Sequence, residues 1–319
     1  MQILLRALLI AACFATIGGC SERTDNAPTE PDAKRPTVAL VMKSLANEFF
    51  VTMADGARAH HASRPDDYDL IVNGIKNETD LAQQVALIDQ MIASRVDAIV
   101  IAPADSKAMV PALARAAAAG IVIVNIDNRL DEEILGDYGI SISFVGPDNF
   151  QGAEMVGSYL AERLDPGQKV AILEGVPTAY NSQQRTAGFE KAMRDGGLNI
   201  VARQSAQWDQ TAAVTVASGM LVQHPDLAAI LCANDNMALG AVAAINQAGK
   251  AGDVAVIGFD NISAVQSLVR DGTILATANQ HADLLAVYGI EYALELIHSN
   301  VAPADRATPV DLITADALN

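Results

Sequence analysis

Two interleaved periods constrain this chain more than any other feature. Short β-branched and apolar runs recur at 38–42, 69–72, 98–101, 121–126, 142–145, 170–173, 200–202, 229–232 and 254–259. Most of the gaps between them carry apolar residues at helical spacing. Strands that alternate with helices predict parallel sheets covered on both faces, an α/β class. Loops connecting such units fall at the carboxyl ends of the strands, where open parallel sheets bind ligands.

The pattern also repeats. Val38-Ala39-Leu40-Val41 matches Val170-Ala171-Ile172-Leu173, the run from Ala98 matches the run from Ala229, and the run from Ile121 matches that from Val254, at offsets of 132, 131 and 133 residues. Three matches in order at nearly constant offset predict two similar Rossmann-like βα halves. A length of 319 residues, 51% of them apolar, is enough for two lobes with sizeable cores. The expected partition is 37–147 plus 281–309 for the N-terminal lobe and 148–280 plus 310–319 for the C-terminal lobe. Crossings near Pro147, Gln280 and Pro309 make a multi-strand hinge. The strand ends then present Lys43, Ala102 and Asp127 in one half and Glu174, Asn234 and Asp260 in the other. Asp127 and Asp260 hold the same place in the two halves.

The first residues read as an export signal over 1–19: Arg6, an uncharged run from Ala7 to Ile17, then Gly18 and Gly19 before Cys20. The apolar run is shorter than the about 20 residues a spanning helix needs. Ile17-Gly18-Gly19-Cys20 resembles the lipobox of bacterial lipoproteins, which implies lipidation of Cys20 and a protein lipid-anchored to a membrane in the periplasm or cell envelope. An ordinary signal cleaved nearby is the alternative. Ser21 follows where an Asp often marks inner-membrane retention. Residues 20–36, rich in Pro, Asp, Glu and Thr, have no apolar period and read as a tether.

Several function classes lose support. With 38 acidic against 21 basic residues and a net charge of −17, the chain repels phosphate backbones, so no nucleic-acid partner is expected. With Cys13 in the signal and Cys20 at the anchor, Cys232 is left without a disulfide partner and reads as a small core residue. No glycine-rich phosphate loop or zinc motif is present, so no cofactor and no metal site are expected. His60 and His61, adjacent on a helix, point about 100° apart and read as solvent-facing. Asp131-Glu132-Glu133 reads as a solvated loop.

A polyol has a rim of hydroxyls and apolar C–H faces, so its site needs planar hydrogen-bonding groups and aromatic rings. Aromatics make up only 4% of the chain, yet Phe49 and Phe50 are adjacent after the first strand, beside Asn47 and Glu48. The only Trp, Trp208, precedes Asp209, a helix N-cap candidate.

Taken together, Asn47-Glu48-Phe49-Phe50, Ala102-Pro103-Ala104-Asp105-Ser106, Ile126-Asp127, Gln207-Trp208-Asp209, Cys232-Ala233-Asn234-Asp235, Gly258-Phe259-Asp260 and Ala278-Asn279-Gln280 resemble the successive motifs of the periplasmic ribose- and allose-binding proteins. The resemblance covers the chain after the tether. It implies a type I periplasmic binding protein fold and a non-enzymatic, monomeric protein whose cleft closes on a sugar. Asn47, Asp127, Arg185, Asn234, Asp260 and Gln280 would bind hydroxyls, with Phe49, Phe50 and Trp208 against the ring. It further implies delivery to an ABC-type importer, or for some relatives presentation to a chemoreceptor or sensor kinase. Lys43, Ala102 and Asn128 stand where ribose binders have Ser, Asn and Arg. Lys43, Ala102 and Trp208 look more like the allose-binding branch, which favours a hexose or cyclitol over ribose. Asn128 fits neither branch. Asp127 and Asp260 also leave a carbohydrate-active enzyme open as an alternative, since glycosidases use paired carboxyls.

Overall fold

A computed structural model describes residues 35–299 and 302–318. The expected signal and Cys20 lie outside the described residues, as does the tether up to residue 34. No helix among the described residues is long and apolar enough to cross a membrane.

The chain begins with β1 (Thr37–Ser44), α1 (Glu48–Ser63), β2 (Asp69–Ile75), α2 (Leu81–Ala93), β3 (Ala98–Ile101), α3 (Val110–Ala118), β4 (Val122–Ile126), α4 (Glu132–Asp137) and β5 (Ser143–Pro147). It continues through α5 (Asn149–Ala161), β6 (Lys169–Glu174), α6 (Tyr180–Asp195), β7 (Asn199–Ser205), α7 (Gln210–Gln223), β8 (Leu227–Cys232), α8 (Asp235–Gln247), β9 (Ala255–Ile257), α9 (Ser263–Arg270) and β10 (Thr277–Asn279). Then come α10 (Ala282–His298), β11 (Arg306–Thr308) and β12 (Asp311–Ile313).

The first sheet has the order β2-β1-β3-β4-β5-β11 and the second β7-β6-β8-β9, all parallel. The repeat read from the sequence is therefore a repeat of topology, with β1, β2, β3 and β4 corresponding to β6, β7, β8 and β9. Each half has its switch point beside its first strand, where two loops diverge and leave a crevice.

Side-chain alternation along β1 shows how the layers form. Val38, Leu40 and Met42 face the core that contains Met53 and Ala54 of α1 and Leu285 of α10. Ala39 and Val41 face Ile88 and Met91 of α2 and Leu113 of α3. A strand buried on both faces can be apolar at every position, which is why β1 and β3 read as continuous runs rather than alternating ones.

The chain passes between the two sheets after β5, before α10, and between β11 and β12. β11 pairs with β5 in the first sheet, whereas β12 pairs antiparallel with β10. His281, at the start of α10, has φ 53° and ψ 63°, and its side chain meets Asp311 at 2.7 Å. Two further readings need correction. His60 and His61 are half-buried and both engage Tyr68, whose hydroxyl lies 2.8 Å from His60 Nδ1 and whose carbonyl oxygen lies 3.1 Å from His61 Nε2. Asp131 is the N-cap of α4, its carboxylate accepting the Ile134 amide at 3.0 Å, so the acidic run is a helix start.

Candidate functional site

All the expected site residues except Asn128 line one cavity between the two sheets, of about 240 Å³ with its opening to solvent included. From the first half come Lys43, Asn47, Phe49, Phe50 and Asp127. Lys43 follows Met42 where the pairing of β1 with β2 shifts register, and such an irregularity re-aims a side chain out of the strand alternation. Its ammonium is buried, 2.9 Å from Asp127 Oδ2 and about 6 Å from the ring centres of Phe50 and Trp208. A lone buried ammonium would cost several kcal/mol. Asp127 and the two ring faces offset that cost.

Asp127 has φ 61°, a left-handed conformation that a branched or bulky residue resists. Buried Asn125 holds this turn: its amide donates to the carbonyls of Ile126 and Asn128, at 3.2 and 2.8 Å, and its oxygen accepts the Leu130 amide. Buried Gln84 similarly ties the ends of β1 and β3, donating to the Met42 and Ala102 carbonyls and accepting the Ala104 amide. Fully satisfied buried amides of this kind fix a loop rather than weaken it.

Asn47 caps α1 through the Phe49 amide at 3.0 Å and donates to Glu78 at 3.2 Å. Phe49 and Phe50 meet edge to face with centroids 5.1 Å apart.

From the second half come Arg185, Trp208, Asn234 and Asp260, with Gln280 at the crossing before α10. Arg185 is held on three sides. Nε donates to Asn149 at 2.8 Å, Nη1 donates to the Ala233 carbonyl at 2.8 Å, and the guanidinium lies 3.7 Å from the Phe259 ring centre. Its Nη1 is 3.5 Å from Asp260 Oδ1, which also accepts Gln280 Nε2 at 2.7 Å. Burial lowers the guanidinium pKa, opposed by Asp260, and pushes the Asp260 carboxyl well above the usual range, opposed by Arg185.

Asp260 has φ 124°, and the loop behind it is tied down by Asp235, whose carboxylate accepts the Ile262 amide and the Thr277 hydroxyl. Trp208, φ 67°, packs on Gly175 so closely that a Cβ there would lie 2.1 Å from the indole. Asn234 caps α8, accepting the Met237 amide at 2.9 Å.

Two lining residues have no motif in the sequence to mark them, Glu78 in the loop after β2 and Asn181 in the first turn of α6. Burial, resisted by Lys43 and the Asn47 amide, pushes the Glu78 carboxyl up to about 7. Asn128 is placed elsewhere. Its amide donates to the Pro103 carbonyl at 3.0 Å and its oxygen meets Ser106 and the Asn181 amide, outside the cavity lining. The strand-end residues Ala102 and Glu174 also fall outside the lining, Glu174 pairing with Arg203 at 3.1 Å.

Each buried cation thus faces one carboxylate, Lys43 with Asp127 and Arg185 with Asp260, and Glu78 adds a third carboxyl to the lining. Asn181 Oδ1, Arg185 Nη2, Trp208 Nε1 and Gln280 Oε1 have no hydrogen-bond partner among the described residues. Buried polar groups cost about 1–3 kcal/mol each when unmet. Four on one small cavity make a surface complementary to a polyhydroxylated molecule.

Residues 38–300 match the model of a family described as the periplasmic binding protein domain. A D-ribose/D-allose-binding protein of Pseudomonas aeruginosa is 50% identical over 318 residues, 98% of this chain and 97% of that protein. The crystal structure of an ABC transporter solute-binding protein from Burkholderia multivorans, with an unknown ligand represented as α-D-erythrofuranose, gives a TM-score of 0.87 at 53% identity, covering 88% of this chain and 100% of that one. A periplasmic solute-binding protein of an ABC transporter from Actinobacillus succinogenes, with bound D-allose, gives 0.84 at 38% identity over 89% of this chain and 99% of that one.

Proposed function

The chain belongs to the periplasmic binding protein family, and from that premise we propose that it captures a monosaccharide, with an allose-like hexose favoured, and delivers it to an ABC-type importer. It is a binding protein and not an enzyme, as are the relatives it resembles. The observation that carries the sugar reading is the cavity in which two cation–carboxylate half-sites meet, with unpartnered polar atoms beside the aromatic rings.

On this reading Asp127, Asp260, Arg185, Gln280, Asn47 and Asn234 meet the hydroxyl rim, and Phe49, Phe50 and Trp208 the C–H faces. Lys43, where ribose binders have Ser, reaches a further hydroxyl and favours a hexose or cyclitol. The lobes close about the three chain crossings, because only closure brings both half-sites onto one ligand. Membership of a periplasmic family implies export, and Cys20 supplies a lipid anchor.

Calorimetric titration of the purified protein with D-allose, D-ribose and myo-inositol tests the proposal. Saturable one-to-one binding, tightest for D-allose, is expected. Heats of dilution alone for all three would overturn it, as would chemical turnover of any sugar found by product analysis.

A further inference from the structure

Two helices of the second lobe begin without a cap of their own. Ala179 occupies the N-cap of α6 and Ile262 that of α9, and neither offers a side-chain acceptor. By contrast α5, α7 and α8 are capped by Asp148, Asp209 and Asn234. The exposed amides of a helix start need acceptors. For α6 and α9 these come from the other lobe.

Ser106 Oγ, after β3, accepts the Tyr180 amide at 2.9 Å, and Asn128 Oδ1, after β4, accepts the Asn181 amide at 3.2 Å. The Ser106 hydroxyl lies 3.4 Å from Asn128 Oδ1, so the two acceptors form one unit. Glu48, at the start of α1, accepts the Ser263 amide at 2.7 Å and lies 3.4 Å from the Ala264 amide. A carboxylate there also suits the positive end of a helix.

We infer that Glu48, Ser106 and Asn128 form a latch that holds the lobes closed by capping helices in trans, and so set ligand affinity without touching the ligand. These contacts exist only when the two sheets approach. They stabilise the closed state alone, and apparent affinity scales with the fraction of molecules able to close. The latch also positions the site. α6 carries Asn181 and Arg185, and Glu48 is joined directly to Asn47 and Phe49, all of which line the cavity. Asn128 is thereby a positioning residue rather than a specificity residue.

Glu48→Ala and Ser106→Ala, with Glu48→Gln as the variant that keeps an acceptor, test this inference by two readouts. The first rests on the sugar-capture reading. Each alanine variant should bind every sugar the parent binds about fivefold more weakly, the usual worth of a cap, with the rank order of sugars unchanged and Glu48→Gln closer to the parent. A changed rank order or unaltered affinity would overturn the latch. The second is independent of that reading: amide hydrogen exchange at Ser263 should accelerate in Glu48→Ala and at Tyr180 in Ser106→Ala. If the parent protein binds none of the sugars, the sugar proposal fails and exchange alone decides. Faster exchange at those amides keeps the latch, and parental exchange rates refute it.

Discussion

Asp127 and Asp260 stand at corresponding positions beyond β4 and β9, both with positive φ, and each faces a buried cation, Lys43 at 2.9 Å and Arg185 at 3.5 Å. The repeated βα topology thus sets the two carboxylates at matching strand ends, each facing a buried cation from a different element, Lys43 of β1 and Arg185 of α6. Asp127→Asn and Asp260→Asn keep side-chain size, and Asn tolerates the left-handed backbone at position 127. Each substitution removes a charged acceptor, worth about 1.5–3 kcal/mol. Ten- to hundredfold weaker sugar binding is expected in a folded protein. Undiminished ligand-induced thermal stabilisation in both variants would remove this cavity as the site.

Trp208 is the only Trp and lies against Gly175, where no Cβ fits. Its fluorescence should therefore respond to sugar without competing signals. Gly175→Ala should displace the indole, weaken binding by about 1 kcal/mol of lost ring contact, and blunt the fluorescence response. A saturating sugar that leaves Trp208 emission unchanged would show that the ring does not meet the ligand.

Much of this architecture was legible in the sequence because buried parallel strands are apolar throughout. Each of the nine expected runs overlaps a strand of β1 to β9. The last three strands escaped notice for a physical reason: β10, β11 and β12 are three residues long and partly polar, Thr277–Asn279, Arg306–Thr308 and Asp311–Ile313, too short to show a period. The cavity lining was legible where a residue follows a strand end or belongs to a motif. Glu78 and Asn181 do neither. Asn128 misled because its neighbour Asp127 has positive φ, so two adjacent side chains diverge, one to the cavity and one to α6. His60 and His61 misled because helical spacing says nothing of Tyr68, which arrives from just before β2.

Cys20 follows an apolar run too short to span a membrane, so stable attachment would depend on acyl chains, each buried CH₂ contributing about 0.8 kcal/mol. Cells fed an alkyne-bearing fatty acid should label the wild-type protein, and Cys20→Ser should lose the label and move to the soluble fraction. A wild-type protein that takes up no label would refute the anchor.

Glu78 makes the stability of the sugar-free protein depend on pH in a direction opposite to that of a salt-bridged carboxylate. Its carboxyl is pushed up to about 7, against about 4.3 for an unfolded chain. Between those values the folded state keeps a proton that the unfolded state has lost. The associated stability is fully present below about pH 4.3 and is lost as pH rises through about 7. Because Glu78 is partly open to solvent, the loss is set at about 1–2 kcal/mol, less than the full shift would imply. Asp235, pushed up to about 6 chiefly by burial, adds a slope of the same sign that ends at lower pH. Glu78→Gln should therefore flatten the curve between about pH 4.3 and 7, most clearly above about pH 6 where Asp235 contributes little. Urea unfolding at half-unit pH steps reads this directly. A wild-type stability that rises through this upper range, or a Glu78→Gln curve parallel to wild type, would show that the Glu78 carboxyl is ionised throughout.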